Sequence, residues 1–302
     1  MRRRARRAAG ISVPPPVQKP AAIGEVVQWA EGVLGEAGIE AAAFEAKVLV
    51  GHVLGIKPSQ VAGRRKALSA EAADVVRPLV ERRSRREPLQ YVTGDTEFLG
   101  LRLKCRPGVF IPRPETELLV EAVVERLSHG REEPRVADVG CGTGAIAIGL
   151  ATSLPRAQVW ATDVSAAAVE LARENAEALG VPGRVTFMTG SFTEPLRRAG
   201  VLQTLDALVC NPPYVPSDQI DALEPEVARH EPREALDGGP DGLRFYRRLI
   251  GDLAPVRGLI VALEVGVGQA EAVRGMLAEL LWMEEVRVIR DYAGIERIVV
   301  GG

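Results

Sequence analysis

Apolar residues in the first part of the chain recur at helical spacing. Val26, Val27, Ala30, Val33 and Leu34 fall on one face of a 3.6-residue helix, and Val75, Val76, Leu79 and Val80 repeat the pattern. Ser69 stands where an N-cap is needed, and glycines at 35, 38, 51, 55 and 63 divide the stretch. Residues 21–87 are therefore expected to form a small bundle of short helices. The run RRSRRE, 82–87, is expected to be the solvated end of the last helix, with a docking surface for RNA or an acidic partner as the alternative. Residues 88–112 mix short alternating apolar runs with turn residues, which predicts a β-hairpin linker. Pro114 then suits the first position of a helix, with Glu115 and Glu117 in its first turn and Leu118, Leu119, Ala122, Val123 and Leu127 on its buried face.

From residue 135 the pattern changes to apolar runs separated by amphipathic stretches. Strands are predicted at 135–140, 158–163, 184–188, 206–210 and 258–264, and helices at 144–153, 165–179, 242–254 and 268–281. Such alternation implies a mainly parallel sheet covered on both faces. The last two apolar runs, EVRVIR and ERIVV, are separated only by DYAGI, too short for a crossover, so the sheet is expected to end in an antiparallel hairpin. Between strand and helix, the stretch from Val215 to Asp241 is longer than an ordinary connection and suggests a lid or binding loop. Its Glu224, Glu226, Glu231 and Asp237 are expected to be a solvated surface.

Composition narrows the class. The 302 residues are 46% hydrophobic, enough for at least one sizeable core, and the formal net charge of −2 gives no global footprint for a polyanion. No direct nucleic-acid contact is expected. Cys105, Cys141 and Cys210 show no CxxC spacing, and His52, His129 and His230 are scattered, so no metal site is expected and a reducing cytoplasm fits best. The most apolar segment, Val136–Leu154, contains Asp138 and four glycines, which fits a buried strand, turn and helix rather than a membrane span. The opening MRRRARRAAGISVPPPVQKP, residues 1–20, is Arg-rich and precedes the first acid at Glu25. A disordered tail is expected there, with an organelle transit peptide as the alternative.

Two stretches carry chemistry. DVGCGTG, residues 138–144, sits between a strand and a helix, where glycines let backbone N–H groups approach a ligand beside the helix N-terminus. Asp163 closes the second strand, placed to accept bonds from both hydroxyls of a ribose, while Ser165 supplies the helix cap. A dinucleotide and S-adenosylmethionine both carry such a ribose. The discriminating stretch is NPPY, 211–214, at the carboxyl end of another strand. A planar amino group awaiting methylation needs acceptors for its two N–H bonds, which the Asn211 side-chain oxygen and the Pro212 carbonyl can supply, with the Tyr214 ring supporting the flat face. Hydride transfer needs none of this. A methyltransferase acting on nucleic-acid bases would use the same chemistry, and a non-catalytic helical adaptor would explain only the N-terminal region.

The stretches EPLQYVTG (87–94), IPRPETE (111–117), DVGCGTGAIA (138–147), NPPY (211–214) and EPREALDGGPDGLRFYRRLI (231–250) together resemble the HemK/PrmC family of release factor glutamine methyltransferases. The resemblance implies an α/β fold, a Rossmann-like seven-stranded class I methyltransferase sheet over residues 113–302, preceded by a helical substrate-binding domain over 21–87. It implies S-adenosylmethionine as methyl donor, bound by Gly140, Cys141, Gly142, Thr143, Gly144 and Asp163, with Asn211 also beside it. It implies a glutamine side chain held by Asn211, Pro212, Pro213 and Tyr214, in the Gly-Gly-Gln loop of a peptide-chain release factor. A glutamine of a ribosomal protein or an exocyclic amine of a nucleic-acid base is the alternative substrate. GSF, 190–192, departs from the family pattern by lacking an acid at Ser191, leaving Phe192 to pack on the adenine.

Overall fold

The computed structural model describes residues 22–62, 67–128 and 131–302. The segment 1–20, Gly63 and His129 lie outside the described residues. The chain divides into two compact units, Met1–Thr93 and Gly94–Gly302.

In the first unit, α1 (Ile23–Glu36), α2 (Ala42–Leu54), α3 (Pro58–Val61), α4 (Ala70–Ser84) and α5 (Leu89–Thr93) surround one apolar core. Val26, Ala30, Val33 and Leu34 of α1 and Val76 and Val80 of α4 are buried in it, as their spacing requires. Val75 is 52% exposed, so the apolar face of α4 is narrower than the sequence pattern implied. Ser69 caps α4 by accepting from the Ala72 N–H at 3.2 Å.

The arginine run is not a solvated helix end. Arg83 is only 5% exposed, and its guanidinium forms a forked pair with Glu45 of α2, Nε–Oε2 2.5 Å and Nη2–Oε1 3.1 Å. Arg82 pairs with Glu87 and donates to the Tyr91 carbonyl at 2.9 Å, and Arg86 donates to the Gly38 carbonyl at 2.8 Å. The cause is the chain that follows. Residues 89–93 turn into a helix instead of a strand, started by the Pro88 carbonyl accepting from Tyr91 and Val92, and the arginines satisfy carbonyls at this corner. Removing one partner of a buried pair leaves an uncompensated charge, so Glu45→Ala is expected to destabilise this unit by about 3–5 kcal/mol. Native-state hydrogen exchange on α2 and α4 reads the effect as a matching fall in opening free energy; unchanged protection would show the pair to be incidental.

The second unit opens with the antiparallel hairpin β1 (Asp95–Phe98) and β2 (Leu101–Lys104). Its turn places Leu99 at φ +50°, an uncommon angle for a branched side chain, and the Leu99 N–H donates to Glu117 at 2.7 Å. A 3₁₀ turn, Pro114–Thr116, then leads into α6 (Glu117–Leu127), which buries Leu119, Val120, Ala122, Val123 and Leu127. The sheet follows as β3 (Arg135–Val139), α7 (Ala145–Ser153), β4 (Gln158–Asp163), α8 (Ala166–Ala178), β5 (Val185–Thr189), α9 (Glu194–Arg198) and β6 (Ala207–Cys210). After α10 (Pro225–His230) and α11 (Arg244–Leu253) come β7 (Ile260–Glu264), α12 (Ala270–Ala278), β8 (Val286–Arg290) and β9 (Glu296–Gly301).

Among the described residues these strands form one seven-stranded sheet in the order β5-β4-β3-β6-β7-β9-β8, parallel except for β9. This is the expected α/β, Rossmann-like class I methyltransferase architecture, with the terminal hairpin in place. Side chains alternate between two cores. Val136, Val159, Ala207 and Val209 face α6, α7 and α8, whereas Ala137, Val139, Leu208 and Cys210 face α11 and α12. From β3 the chain builds outward to β5, then returns to the other side of β3 as β6. That reversal opens a crevice at the carboxyl ends of β3 and β6, where ligands bind in open α/β sheets.

Candidate active site

A cavity of about 720 Å³ lies at this crevice, wholly within the second unit. Its walls include Gly140, Cys141, Gly142 and Thr143 after β3, Asp163 at the end of β4, Phe192 after β5, and Asn211, Pro212, Pro213 and Tyr214 after β6. Residues from four separate stretches are thus brought to one place.

The glycine loop is built differently from its sequence-based expectation. Gly140 and Gly142 have φ of +82° and +53°, angles that cost little only without a Cβ. They turn the loop amides toward β4 rather than into the cavity: Gly140 and Cys141 N–H donate to the Thr162 carbonyl at 2.8 and 3.0 Å, and Gly142 N–H to Asp163 Oδ2 at 2.9 Å. Gly144 does not line the cavity. At φ +83° it precedes α7, and a Cβ there would lie 3.0 Å from the Ala172 Cβ, so its role is close packing of α7 on α8. Beneath the loop, Asp138 accepts from the Ala147 N–H in the first turn of α7 at 3.1 Å, and burial pushes its carboxyl up to about 7.

Asp163 combines two functions. Oδ1 accepts from the Ser165 N–H at 2.8 Å while Oδ2 holds Gly142, so the carboxylate ties the glycine loop to the start of α8. The Val164 N–H also contributes, and with about four acceptor sites on the carboxylate this leaves capacity for a further donor from the cavity that Asp163 lines. Burial raises its pKa, opposed by the bonds from Ser165 and Gly142. Phe192 adopts φ +49°, stacks on Phe245 with centroids 5.3 Å apart, and its carbonyl accepts from the Thr162 hydroxyl at 3.0 Å. A bulky residue held in the left-handed region beside a cavity marks a position fixed by its surroundings.

At the end of β6, Asn211 Nδ2 donates to Thr116 Oγ1 at 3.1 Å, and Thr116 donates to Glu264 Oε2 at 2.6 Å. The Tyr214 hydroxyl reaches Glu264 Oε1 at 3.5 Å, and burial raises its pKa. Thr116 and Glu264 were not among the residues singled out from sequence. A signal existed for Glu264: one acid closing the apolar strand IVALE, in a register that pairs Cys210 with Leu263 and so sets Asn211 beside Glu264.

The 215–241 stretch packs back on NPPY. Val215 N–H donates to the Leu236 carbonyl at 2.9 Å, Gly238 N–H to the Val215 carbonyl at 2.8 Å, and Gln269 Nε2 to the Tyr214 carbonyl at 2.9 Å. A Cβ on Gly242 would sit 2.3 Å from the Tyr214 carbonyl oxygen, which is why this turn holds glycine. Glu231 is not on a solvated surface. Its side chain is 1% exposed, pairs with Arg113, and accepts from the Ile111 N–H at 3.3 Å. The Arg113 guanidinium also lies 4.6 Å over the Phe110 ring, so IPRPETE and EPREALDGG meet at one charge pair whose acid is buried. Among the described residues no group of three or more His, Cys, Asp or Glu is placed to hold a metal, and no helix is long and apolar enough to cross a membrane.

Comparison with known proteins finds relatives of both units. Residues 25–94 match the family model of the PrmC N-terminal domain, and residues 100–230 match the methyltransferase small domain. The chain is 44% identical to the release factor glutamine methyltransferase of Moorella thermoacetica, over 91% of this chain and 95% of the relative. It is 42% identical to that of Geobacter sulfurreducens, over 92% and 96%. Among solved structures, the hMettl16 catalytic domain in complex with MAT2A 3′UTR hairpin 6 superposes with a TM-score of 0.56 at 17% identity, over 67% of this chain and 76% of that one, a likeness of fold alone.

Proposed function

We infer the reaction from the premise that this chain belongs to the release factor glutamine methyltransferase family: it methylates the side-chain amide nitrogen of a glutamine in a peptide-chain release factor. The observation that carries this is the convergence, in one cavity, of the Asp163 carboxylate with the Asn211 and Pro212 acceptors. S-adenosylmethionine fits the chemistry of these walls. A cavity of about 720 Å³ lies within the range of small-ligand sites, Asp163 retains acceptor capacity for ribose hydroxyls, and Phe192 offers an aromatic face to adenine. Gly140, Cys141, Gly142 and Thr143 wall the donor side. Bound there, S-adenosylmethionine supplies a methyl carbon on a positively charged sulfur, open to attack by a weak nucleophile.

The protein's own groups act on the glutamine. An amide nitrogen attacks poorly because its lone pair is delocalised. Asn211 Oδ1 and the Pro212 carbonyl accept its two N–H bonds and hold it in place, while Pro213 and Tyr214 confine the flat face. As the nitrogen gains a methyl carbon its N–H groups become more acidic, so both acceptors bind more strongly in the transition state than in the ground state. Tyr214 keeps its own proton at neutral pH, because burial raises its pKa, and so acts through its ring and not as a base. Glycines flanking the substrate glutamine, as in a Gly-Gly-Gln loop, let the backbone approach without Cβ clashes. The helical unit supplies a second contact on the folded partner, raising the effective concentration of the loop at the cavity. A translation factor as substrate supports a cytoplasmic reaction.

Donor and acceptor functions are separable by mutation. Asp163→Ala is expected to weaken S-adenosylmethionine binding by about 1–3 kcal/mol in calorimetry. Unchanged affinity in a folded variant would remove Asp163 from the donor site. Asn211→Ala is expected to slow single-turnover methyl transfer by roughly 10²–10³-fold with donor affinity largely retained. Turnover near the wild-type rate would return NPPY to a structural turn. Intact release factor is expected to gain one methyl group, confined to the Gly-Gly-Gln glutamine by mass spectrometry, far faster than the isolated peptide. Labelling of a nucleic acid or another protein in its place would overturn the substrate while leaving the chemistry.

A further inference from the structure

We propose that Glu264 is a positioning residue for this reaction: through the Thr116 hydroxyl, its carboxylate sets which end of the Asn211 amide is offered to the cavity. The inference rests on the assignment of Asn211 as holder of the substrate amide. Thr116 Oγ1 is 2.6 Å from Glu264 Oε2 and 3.1 Å from Asn211 Nδ2. An ionised carboxylate has no proton, so the proton of the shorter contact belongs to Thr116 and points at Glu264. Thr116 then has only lone pairs for Asn211, and only the NH₂ end of the amide satisfies them. Oδ1 is left as the end available to a ligand. Rotating the amide would set oxygen against oxygen at a site where Thr116 and Glu264 are each 2% exposed and water cannot compensate.

The direction of the amide matters because the substrate group is itself an NH₂. Facing it, Oδ1 accepts a hydrogen bond, whereas a reversed Asn211 would oppose N–H with N–H. The groups facing Glu264 are few. Thr116 and Glu115 come from the 3₁₀ turn, Tyr214 from the stretch after β6, Cys210 from β6 and Arg297 from β9. The Tyr246 hydroxyl of α11 donates to the Glu264 main-chain carbonyl at 2.7 Å. Arg297 favours the ionised carboxyl but is engaged by Asp291 at 3.1 Å, while Glu115 opposes ionisation. Burial is the largest influence and pushes the Glu264 carboxyl up to about 7. Once protonated, Glu264 can donate to Thr116 Oγ1, which frees the Thr116 proton to point at Asn211 and makes the reversed amide the satisfied one. Methyl transfer is therefore present above the Glu264 pKa and lost as pH falls through it.

The test uses the full chain with intact release factor and compares single-turnover rates at saturation with S-adenosylmethionine affinity. Thr116→Val removes the hydroxyl at nearly constant shape and is expected to lower the rate by about 10–100-fold with donor affinity unchanged, while Thr116→Ser recovers it to within about threefold. The wild type is expected to show an acid limb centred at about 7, and Glu264→Gln to lack that limb. Adding Glu264→Gln to Thr116→Val is expected to change the rate no further. A Thr116→Val enzyme at the wild-type rate, or an acid limb that survives in Glu264→Gln, would overturn the relay. Should Thr116→Val fail to fold, the pH profile of Glu264→Gln decides alone. An Asn211→Ala enzyme at the wild-type rate would instead defeat the amide-holding assignment on which the relay rests.

Discussion

Parallel pairing of β4, β3, β6 and β7 makes four strands stop at nearly one level, and the chemistry of this protein depends on that shared edge. Val139 pairs with Thr162 and Cys210 with Leu263, so the residues that follow, Asp163, Asn211 and Glu264 among them, emerge side by side. The strands themselves are apolar because both faces are covered. A polar side chain therefore has its first opportunity at the strand end. The crevice between these strand ends follows from the reversal of strand order between β3 and β6.

Position along the sheet does not by itself give orientation, and a set of buried polar groups supplies it. Asp163 fixes the glycine loop by accepting from Gly142, Glu264 fixes Asn211 through Thr116, and Glu231 with Arg113 fixes the stretch after NPPY against residues 110–113. Glu231 and Glu264 are buried and Asp163 half-buried, and each accepts from named donors, as a carboxylate withdrawn from water must. An acceptor pair that had to reorganise during methyl transfer would lose much of its advantage over water.

Much of this was legible in the sequence, for a physical reason. Periodicity located the strands of the sheet, and the hydrophobic runs stop where Asp163 and Asn211 begin. NPPY and the glycine loop are local signals, since the residues of each motif are adjacent in the chain. What could not be read are contacts between residues distant in sequence. Thr116 and Glu264 are 148 positions apart, Arg113 and Glu231 118, and Arg83 and Glu45 38. A charged residue without a visible partner is assigned to solvent, which is why Arg83 and Glu231 were expected there. Gly144 shows a related limit: a glycine in a ligand-binding motif can also serve packing, and the approach of Ala172 and Ile148 to its Cβ position is visible only in the fold.

The central claim is that one cavity holds the methyl donor and the glutamine amide side by side, divided between the ends of β4 and β6. A crystal structure of the protein with S-adenosylhomocysteine and a Gly-Gly-Gln peptide tests it directly. Ribose hydroxyls are expected on the Asp163 carboxylate and the glutamine NH₂ on Asn211 Oδ1 and the Pro212 carbonyl, with its nitrogen facing the sulfur. Adenosine bound away from Asp163, or a glutamine side chain seated outside the NPPY turn, would contradict it.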